Sequence, residues 1–149
     1  MTLHRIEPQP VLSTTSYGEM KATNEQLARA FALLGGIHLT TLRYFNVYGP
    51  RMDVRLRFVE VMIRWLNLID EGKPLTLFGD GSSSVDFVYI GDVARANIAA
   101  CERDLPDATL NVCSGVETPM RDLAATLLRL TGSAVGVEFK PPPTAAPPA

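Results

Sequence analysis

A tyrosine and a lysine stand four residues apart near the start of a helical stretch, as Tyr17 and Lys21 in SYGEMKATNEQLARAF, residues 16–31 of the 149-residue chain. One turn of a helix brings residues at this spacing side by side. At about 4 Å and an effective dielectric near 20, a lysine ammonium stabilises a phenolate by roughly 4 kcal/mol. Such a pair suits a tyrosine that works as a general acid or base. The same spacing also occurs on packed or solvated helix faces, so the surrounding sequence must decide between the two.

Four stretches carry apolar residues at the spacing of amphipathic helices. Ser16 is the predicted N-cap of the first, and Glu19 stands where a capping box places its carboxylate. Gly35 and Gly36 are predicted to end this helix, because glycine tolerates the left-handed turn that closes a helix. The later predicted helices begin near Phe58, Asp92 and Thr118, and they end near Gly72, Glu102 and Gly132.

Segments rich in β-branched and aromatic residues separate these helices and are predicted to be strands. They are IHLTTLRYF at residues 37–45, LTLFG at 75–79, VDFVYI at 85–90, LNVCS at 110–114 and VGVEF at 135–139. Alternating helices and strands predict an α/β fold with a largely parallel sheet, which binds ligands at the carboxyl ends of its strands. The segment NVYGP at residues 46–50 is expected to break the first strand at such an end.

The composition divides the chain into three parts and excludes several classes of function. Residues 1–13 are predicted to be an extended lead-in, residues 14–139 the folded domain, and the proline-rich residues 140–149 a disordered or polyproline tail. A net charge of −2 gives no reason to expect a nucleic acid or an anionic membrane as partner. No apolar run has transmembrane length. Cys101 and Cys113 lack metal-site spacing, so we expect no metal site and a reduced, cytoplasmic setting.

Four motifs occur in order: SYGEMK, LTTLRYFNVYGPR, FGDGSSSVDFVYIGDVARAN and LNVCSGVETPMRDLAATLL. Together they resemble the extended short-chain dehydrogenase/reductase family, in its NAD-dependent nucleotide-sugar epimerase/dehydratase branch, over about residues 13–139. The resemblance is to UDP-glucose 4-epimerase-like members. It implies the C-terminal part of a Rossmann-type doubly wound α/β sheet, together with part of a small substrate-binding domain.

The resemblance implies NAD as the cofactor and assigns roles to three residues beside it. Tyr17 would take a proton from a sugar hydroxyl while a hydride passes to NAD. Lys21 would hold the nicotinamide ribose and stabilise the charged form of the tyrosine. Phe45, in RYFN, matches the position that lines the nicotinamide pocket, although without the resemblance it would read as an ordinary core residue.

The resemblance also implies a UDP- or dTDP-sugar as the substrate. Asn46 matches the position that hydrogen-bonds the diphosphate region of the nucleotide sugar, and without the resemblance it would read as a turn former. Thr76, Leu77 and Phe78 match the stretch around the nucleotide base, where Phe78 could stack on uracil or thymine. Epimerase is favoured over dehydratase because no acidic pair accompanies STTSYG.

The sequence departs from the family pattern in its glycines and at position 85. None of the eleven glycines forms the G-x-x-G-x-x-G turn that holds the NAD phosphates at a helix N-terminus. Val85 stands where many relatives carry an arginine that grips the substrate diphosphate, which leaves Arg51, Arg55 and Arg57 as candidate replacements. The chain is therefore expected to be truncated, lacking its N-terminal NAD-binding half.

A truncated sheet protein should expose apolar surface, so self-association as a homodimer through the Tyr17 helix is expected. Two other functions remain open. The chain could be a non-catalytic remnant or a protein-interaction module, which the missing glycine-rich turn suggests. It could also be an extended reductase for a substrate that is not a nucleotide, which Val85 suggests.

Overall fold

The structure is a computed structural model, and it describes residues 2–5, 15–54, 60–103, 105 and 107–142. The helices are α1 (Ser16–Gly35), α2 (Val61–Asp70), α3 (Ile90–Glu102) and α4 (Met120–Thr131). The strands are β1 (Thr2–Arg5), β2 (Thr41–Tyr44), β3 (Asn46–Tyr48), β4 (Leu75–Phe78), β5 (Ser84–Tyr89), β6 (Thr109–Cys113), β7 (Glu117–Pro119) and β8 (Val137–Lys140). They form two compact units, one of Met1–Gly49 with Phe87–Gly115 and one of Pro50–Asp86 with Val116–Ala149.

In the first unit, a three-stranded sheet has the order β1-β6-β2. Strands β2 and β6 are parallel, and β1 is antiparallel to β6. Strand β3 runs parallel to the second half of β5, with Asn46 opposite Phe87 and Tyr48 opposite Tyr89. The core of this unit consists of buried apolar residues from β5, α3 and β6, joined by two from β2 and β3: Val88, Val93, Ala96, Val112, Leu42 and Val47.

In the second unit, β4 and β8 pair in parallel, and helices cover β4. Leu75 and Leu77 of β4 are buried where α2 and α4 pack against this strand. Trp65 of α2 is also buried, and its indole N–H donates a hydrogen bond of 3.1 Å to the Thr76 carbonyl oxygen. The first half of β5 pairs with β7 in antiparallel register, with Val85 opposite Thr118. The α/β class is therefore confirmed, with both parallel and antiparallel pairs.

Three of the four predicted helix starts differ from the structure. Thr15 caps α1 in place of Ser16, because Thr15 has extended backbone angles and its hydroxyl accepts the Gly18 N–H at 3.1 Å. Helix α3 begins two residues before Asp92, and Asp92 lies in its first turn, paired with Arg95. Helix α4 follows Pro119, so Thr118 belongs to β7 and caps nothing. Helices α3 and α4 begin directly after β5 and β7, so their starts depend on where those strands end, which local composition does not reveal.

The segment NVYGP contains a strand that the sequence did not indicate. Asn46, Val47 and Tyr48 form β3, and the break falls at Phe45 and again after Tyr48. Asparagine, glycine and proline here suggested a turn, but pairing with the distant β5 overrides that preference. Only Thr41–Tyr44 of the predicted strand 37–45 is a strand.

Other predicted segments extend beyond the described residues. Phe58 and Val59, at the predicted start of the second helix, are outside the described residues, and α2 is described from Val61. Lys140, the first residue of the predicted tail, belongs to β8, and residues 143–149 are outside the described part. Within the described part, no helix is both long enough and apolar enough to cross a membrane.

Candidate active site

The structure brings Tyr17 and Lys21 together on the first turns of α1. Thr15 fixes the start of this helix, so Tyr17 is its second residue and Lys21 follows one turn later. The Lys21 ammonium lies over the aromatic ring of Tyr17, with Nζ 5.4 Å from the ring centroid. Tyr17 is 65% exposed. The pair is therefore formed and open to a ligand.

The contact between the two side chains differs from the one that the spacing suggested. The ammonium faces the ring and not the hydroxyl oxygen, which makes the interaction a cation–π contact. At an exposed site such a contact is worth about 0.5–1 kcal/mol, well below the roughly 4 kcal/mol of a charge at 4 Å from the oxygen. Lysine has four rotatable side-chain bonds, so a small rotation brings Nζ to a ligand without moving the helix.

An ion-pair cluster holds α1 against the strands of the first unit. The Glu25 carboxylate accepts hydrogen bonds from Arg43 Nε at 3.0 Å and from Arg43 Nη2 at 2.9 Å. Arg29 donates to Glu25 at 3.1 Å and to the Thr109 hydroxyl at 2.6 Å. Partial burial raises the pKa of Glu25, but hydrogen bonds and charges from Arg29 and Arg43 outweigh this effect and hold the pKa below its usual 4.5.

Sequence reasoning missed this cluster, although the spacing of Glu25 and the charge of Arg43 both indicated it. Glu25 lies four residues after Lys21, so it continues the same spacing along α1 by one more turn. Arg43 is the one charged residue of β2. A charge at such a strand position usually requires a partner, because burial of an unpaired charge is costly.

Phe45 and Asn46 follow the end of β2. The Phe45 N–H donates to the Val112 carbonyl oxygen at 3.1 Å, which continues the pairing with β6, and its ring is 42% exposed. Asn46 is half-buried and opens β3 opposite Phe87. Parallel strands present ligand sites at their carboxyl ends, so both residues lie where a ligand of this unit would bind.

Two tyrosines also meet at the carboxyl ends of β3 and β5, and sequence reasoning did not single them out. Tyr48 and Tyr89 pair across the strands with ring centroids 5.6 Å apart. Phe87 meets Tyr48 edge-on at 6.4 Å. Gly49 follows directly with a φ of 147°, and a Cβ there would overlap the Ile90 side chain, so only glycine fits the turn.

Thr76, Leu77 and Phe78 lie in the second unit, on β4. The Leu77 side chain is 1% exposed and belongs to the core, so only its backbone is left for a ligand. Phe78 is 47% exposed, and the alternation of the strand turns it to the face opposite Leu77. Thr76 shares the Phe78 face and is half-buried. Phe78 therefore offers the largest accessible side chain of the three.

The candidate replacements for the missing arginine are only partly described. Val85 is half-buried and pairs with Thr118 of β7. Arg51 is exposed, in a left-handed backbone conformation with a φ of 68°. Arg55 and Arg57 lie outside the described residues. Among these positions, Arg51 is the described cation.

A cavity of the first unit lies away from Tyr17. It has a volume of about 470 Å³ and is lined by the C-terminal end of α1 and the loop that follows, including Leu33, Ile37 and His38. Leu33 is sixteen residues beyond Tyr17, roughly 24 Å along the helix at 1.5 Å per residue. The cavity is therefore separate from the tyrosine–lysine pair.

Comparison with known proteins agrees with a Rossmann-type epimerase fold. The model of the NAD dependent epimerase/dehydratase family matches residues 4–113. A dTDP-L-rhamnose 4-epimerase of Burkholderia thailandensis is 35% identical over 122 residues, which cover 80% of this chain. The chain belongs to the NAD dependent epimerase/dehydratase family.

Two solved structures share the fold. A UDP-N-acetylglucosamine 4-epimerase of Methanobrevibacter ruminantium, in complex with UDP-N-acetylmuramic acid, matches with a TM-score of 0.83 and 29% identity over 91% of this chain. The UDP-glucose 4-epimerase of Thermotoga maritima, with UDP-glucose, matches with a TM-score of 0.77 and 35% identity over 85% of this chain. The matches cover 44% and 40% of those chains, and 32% of the Burkholderia enzyme, so this chain spans less than half the length of these relatives.

Proposed function

We propose that this chain provides the tyrosine–lysine pair and the nucleotide-sugar contacts of an NAD-dependent 4-epimerase that acts on a UDP- or dTDP-sugar. The observation that carries the proposal is the contact between Lys21 and Tyr17 on an exposed helical turn, in a member of this family. Phe45, which follows the end of β2, and Asn46, which opens β3, are proposed as further ligand contacts. The absence of an acidic pair beside Tyr17 favours epimerisation over dehydration.

Tyr17 and Lys21 divide the chemistry between them. Tyr17, as the phenolate, accepts the proton of the sugar C4 hydroxyl, and the C–O bond becomes a carbonyl as the C4 hydrogen leaves as hydride. Bound NAD would accept the hydride and supply it again. With the hydride returned to the opposite face of C4, Tyr17 would donate the proton back to the C4 oxygen, which gives the epimer. Lys21 would stabilise the charged tyrosine and would hold the hydroxyls of the nicotinamide ribose.

The residues present fit one end of NAD. Tyr17, Lys21 and Phe45 are all exposed in the first unit, as a nicotinamide contact requires. The 149-residue sequence holds no G-x-x-G-x-x-G turn for the phosphates. We therefore propose that the phosphate-binding turn comes from an N-terminal Rossmann half that this sequence does not contain.

Calorimetric titration of the purified chain with NAD, and then with UDP-glucose, tests whether NAD binding needs a phosphate-binding turn from outside this sequence. We expect the folded chain alone to give no heat with NAD. Addition of the N-terminal half of the Thermotoga UDP-glucose 4-epimerase should restore NAD binding and epimerase activity. Micromolar binding of NAD by the chain alone would refute this need, and a folded mixture without turnover would refute the proposed activity.

A second candidate function is reduction or oxidation of a substrate without a nucleotide. Val85 favours it, because a half-buried valine cannot neutralise a diphosphate. Parallel titrations with UDP, dTDP and a free sugar distinguish the two functions. Binding of the free sugar alone would favour this candidate, whereas binding of either nucleotide would favour the epimerase.

A third candidate is a protein-interaction module. Like the proposed epimerase, it would self-associate through α1. Met20, Leu27, Phe31 and Leu34 follow one another along α1, and each is more than half exposed. We propose that this apolar stripe pairs two copies of the chain as a homodimer. Sedimentation should show a dimer for the natural chain and a monomer for Phe31→Glu.

A cytoplasmic location suits the free thiols of Cys101 and Cys113.

A further inference from the structure

We infer that Glu25 and Arg43 are positioning residues, whose salt bridge sets the helix bearing Tyr17 and Lys21 against the strand that leads to Phe45 and Asn46. The inference rests on the proposed function, because these four residues are the proposed ligand contacts of the first unit. Neither Glu25 nor Arg43 touches the proposed reacting atoms. Their effect is on the geometry of α1 relative to β2.

The salt bridge constrains angle as well as distance. Arg43 Nε donates to Oε2 of Glu25 at 3.0 Å, and Arg43 Nη2 donates to Oε1 at 3.0 Å and to Oε2 at 2.9 Å, in a forked arrangement. A planar guanidinium matched to a carboxylate in this way fixes the relative orientation of the two side chains. The side chains are 14% and 31% exposed, so water competes weakly for them. Arg29 joins the same carboxylate to Thr109 of β6, which adds a second strand to the attachment.

Apolar packing contributes little to the placement of α1. Among its twenty residues, Ala32 is the buried one, and it lies near the C-terminal end of the helix. The large apolar residues of α1 are more than half exposed, as described for the stripe from Met20 to Leu34. A surface of small side chains permits sliding and tilting, because it offers few interlocking contacts. The Glu25–Arg43 salt bridge therefore sets the register of the N-terminal half.

Because Glu25 lies about two turns from Tyr17, a small tilt of α1 at Glu25 would displace Tyr17. Tyr17, Lys21 and Glu25 recur every four residues, so Tyr17 lies about 12 Å from Glu25 along the helix axis. A tilt of about 10° at Glu25 would displace Tyr17 by roughly 2 Å over this distance. On the strand side, Arg43 lies two residues before Phe45, whose N–H continues the pairing of β2 with β6. One salt bridge thus relates both proposed sides of the nicotinamide site.

Spin-label distances measure the placement directly in the full 149-residue chain. One label goes on Asn24→Cys, an exposed position of α1, and the other on the exposed Cys101 of α3 in the same unit. We expect a narrow distance distribution in the parent chain and a broader or shifted one in Glu25→Gln. Arg43→Lys, which keeps the charge and loses the fork, should give a smaller change in the same direction. Glu71→Gln removes a carboxylate from an exposed pair with Lys73 and should change nothing.

A kinetic readout separates positioning from a purely structural role. In the chain complemented with the Thermotoga N-terminal half, Glu25→Gln should lower kcat about a hundredfold, the scale of a 1 Å misplacement, with little change in KM for UDP-glucose. An unchanged distance distribution in Glu25→Gln, or an equal loss of kcat in Glu71→Gln, would overturn the inference. If Glu25→Gln does not fold, Arg43→Lys decides by the same two readouts. If the complemented parent has no activity, the proposed function fails, and the distances alone decide whether the salt bridge places α1.

Discussion

At the scale of single residues, the proposed chemistry depends on a tyrosine that is open to a ligand. It also depends on a lysine that can reach both the tyrosine and the ligand. The ring of Tyr17 supports the Lys21 ammonium while the hydroxyl stays accessible. Both side chains belong to one helix, so their proximity needs no tertiary contact. Their placement relative to β2 does need one, and we propose that the salt bridge between Glu25 and Arg43 supplies it.

Removal of the Tyr17 hydroxyl should abolish turnover. Tyr17→Phe keeps the ring under Lys21 but removes the group that accepts the proton, so kcat of the complemented chain should fall by about 10²–10⁴-fold. Tyr44→Phe is the matched control, because its hydroxyl bonds Asn97 of α3, away from α1. Epimerase activity measured with UDP-glucose checks both variants. Activity of Tyr17→Phe close to the parent's would exclude Tyr17 as the acid–base group.

Glu25 should make stability depend on pH on the acid side. Its pKa in the folded chain is below the usual 4.5, so the folded state binds this proton less readily than the unfolded state. The stabilisation is therefore complete above the usual pKa and is lost as the pH falls through the lowered one. Urea unfolding between pH 7 and pH 3 should show a smaller acid loss in Glu25→Gln than in the parent. Glu71→Gln should follow the parent curve.

At the scale of elements, glycines end two helices where the sequence predicted them. Gly36 closes α1 and Gly132 closes α4, both in the left-handed conformation with φ near 62° and 65°. A side chain at either position meets open space, so its cost is backbone strain alone. These two predicted helix ends are confirmed because the signal is local to the turn.

Alanine at Gly132 should lower stability by a small, defined amount. The left-handed conformation costs a residue with a Cβ about 1–2 kcal/mol, so Gly132→Ala should lower the free energy of unfolding by about this much. Gly136→Ala is the matched control, since Gly136 lies outside the left-handed region and has equally open surroundings. Urea unfolding of the two variants checks the difference. An equal loss in both variants would attribute the effect to something other than the left-handed turn.

At the scale of the whole molecule, each proposed contact belongs to one of two separately packed units. The first unit holds Tyr17, Lys21, Phe45 and Asn46, and the second holds the stretch from Thr76 to Phe78. The chain passes between the units three times, after Gly49, Asp86 and Gly115, so neither unit is a continuous stretch of sequence. In the second unit, substitutions at the adjacent residues Leu77 and Phe78 should affect stability and ligand binding separately.

Truncation to alanine should mainly lower stability at Leu77 and mainly weaken UDP binding at Phe78. Leu77→Ala removes a side chain that is 1% exposed and should lower the free energy of unfolding by about 2–5 kcal/mol. Phe78→Ala removes a side chain that is 47% exposed and should cost much less stability, but it should weaken UDP binding. Denaturation and calorimetry with UDP check the two effects. Unchanged UDP affinity in Phe78→Ala would exclude stacking of the base on this ring.

The sequence by itself determined what depends on neighbours along the chain. The order of motifs indicated the family, the four-residue spacing paired Tyr17 with Lys21, and glycine predicted the ends of α1 and α4. The tertiary structure alone decided what depends on distant partners. Pairing with β5 makes a strand of Asn46–Tyr48, and helix packing buries Leu77. The approach of Arg43 to Glu25 from eighteen residues away anchors α1, because a salt bridge forms only where the fold brings both charges together.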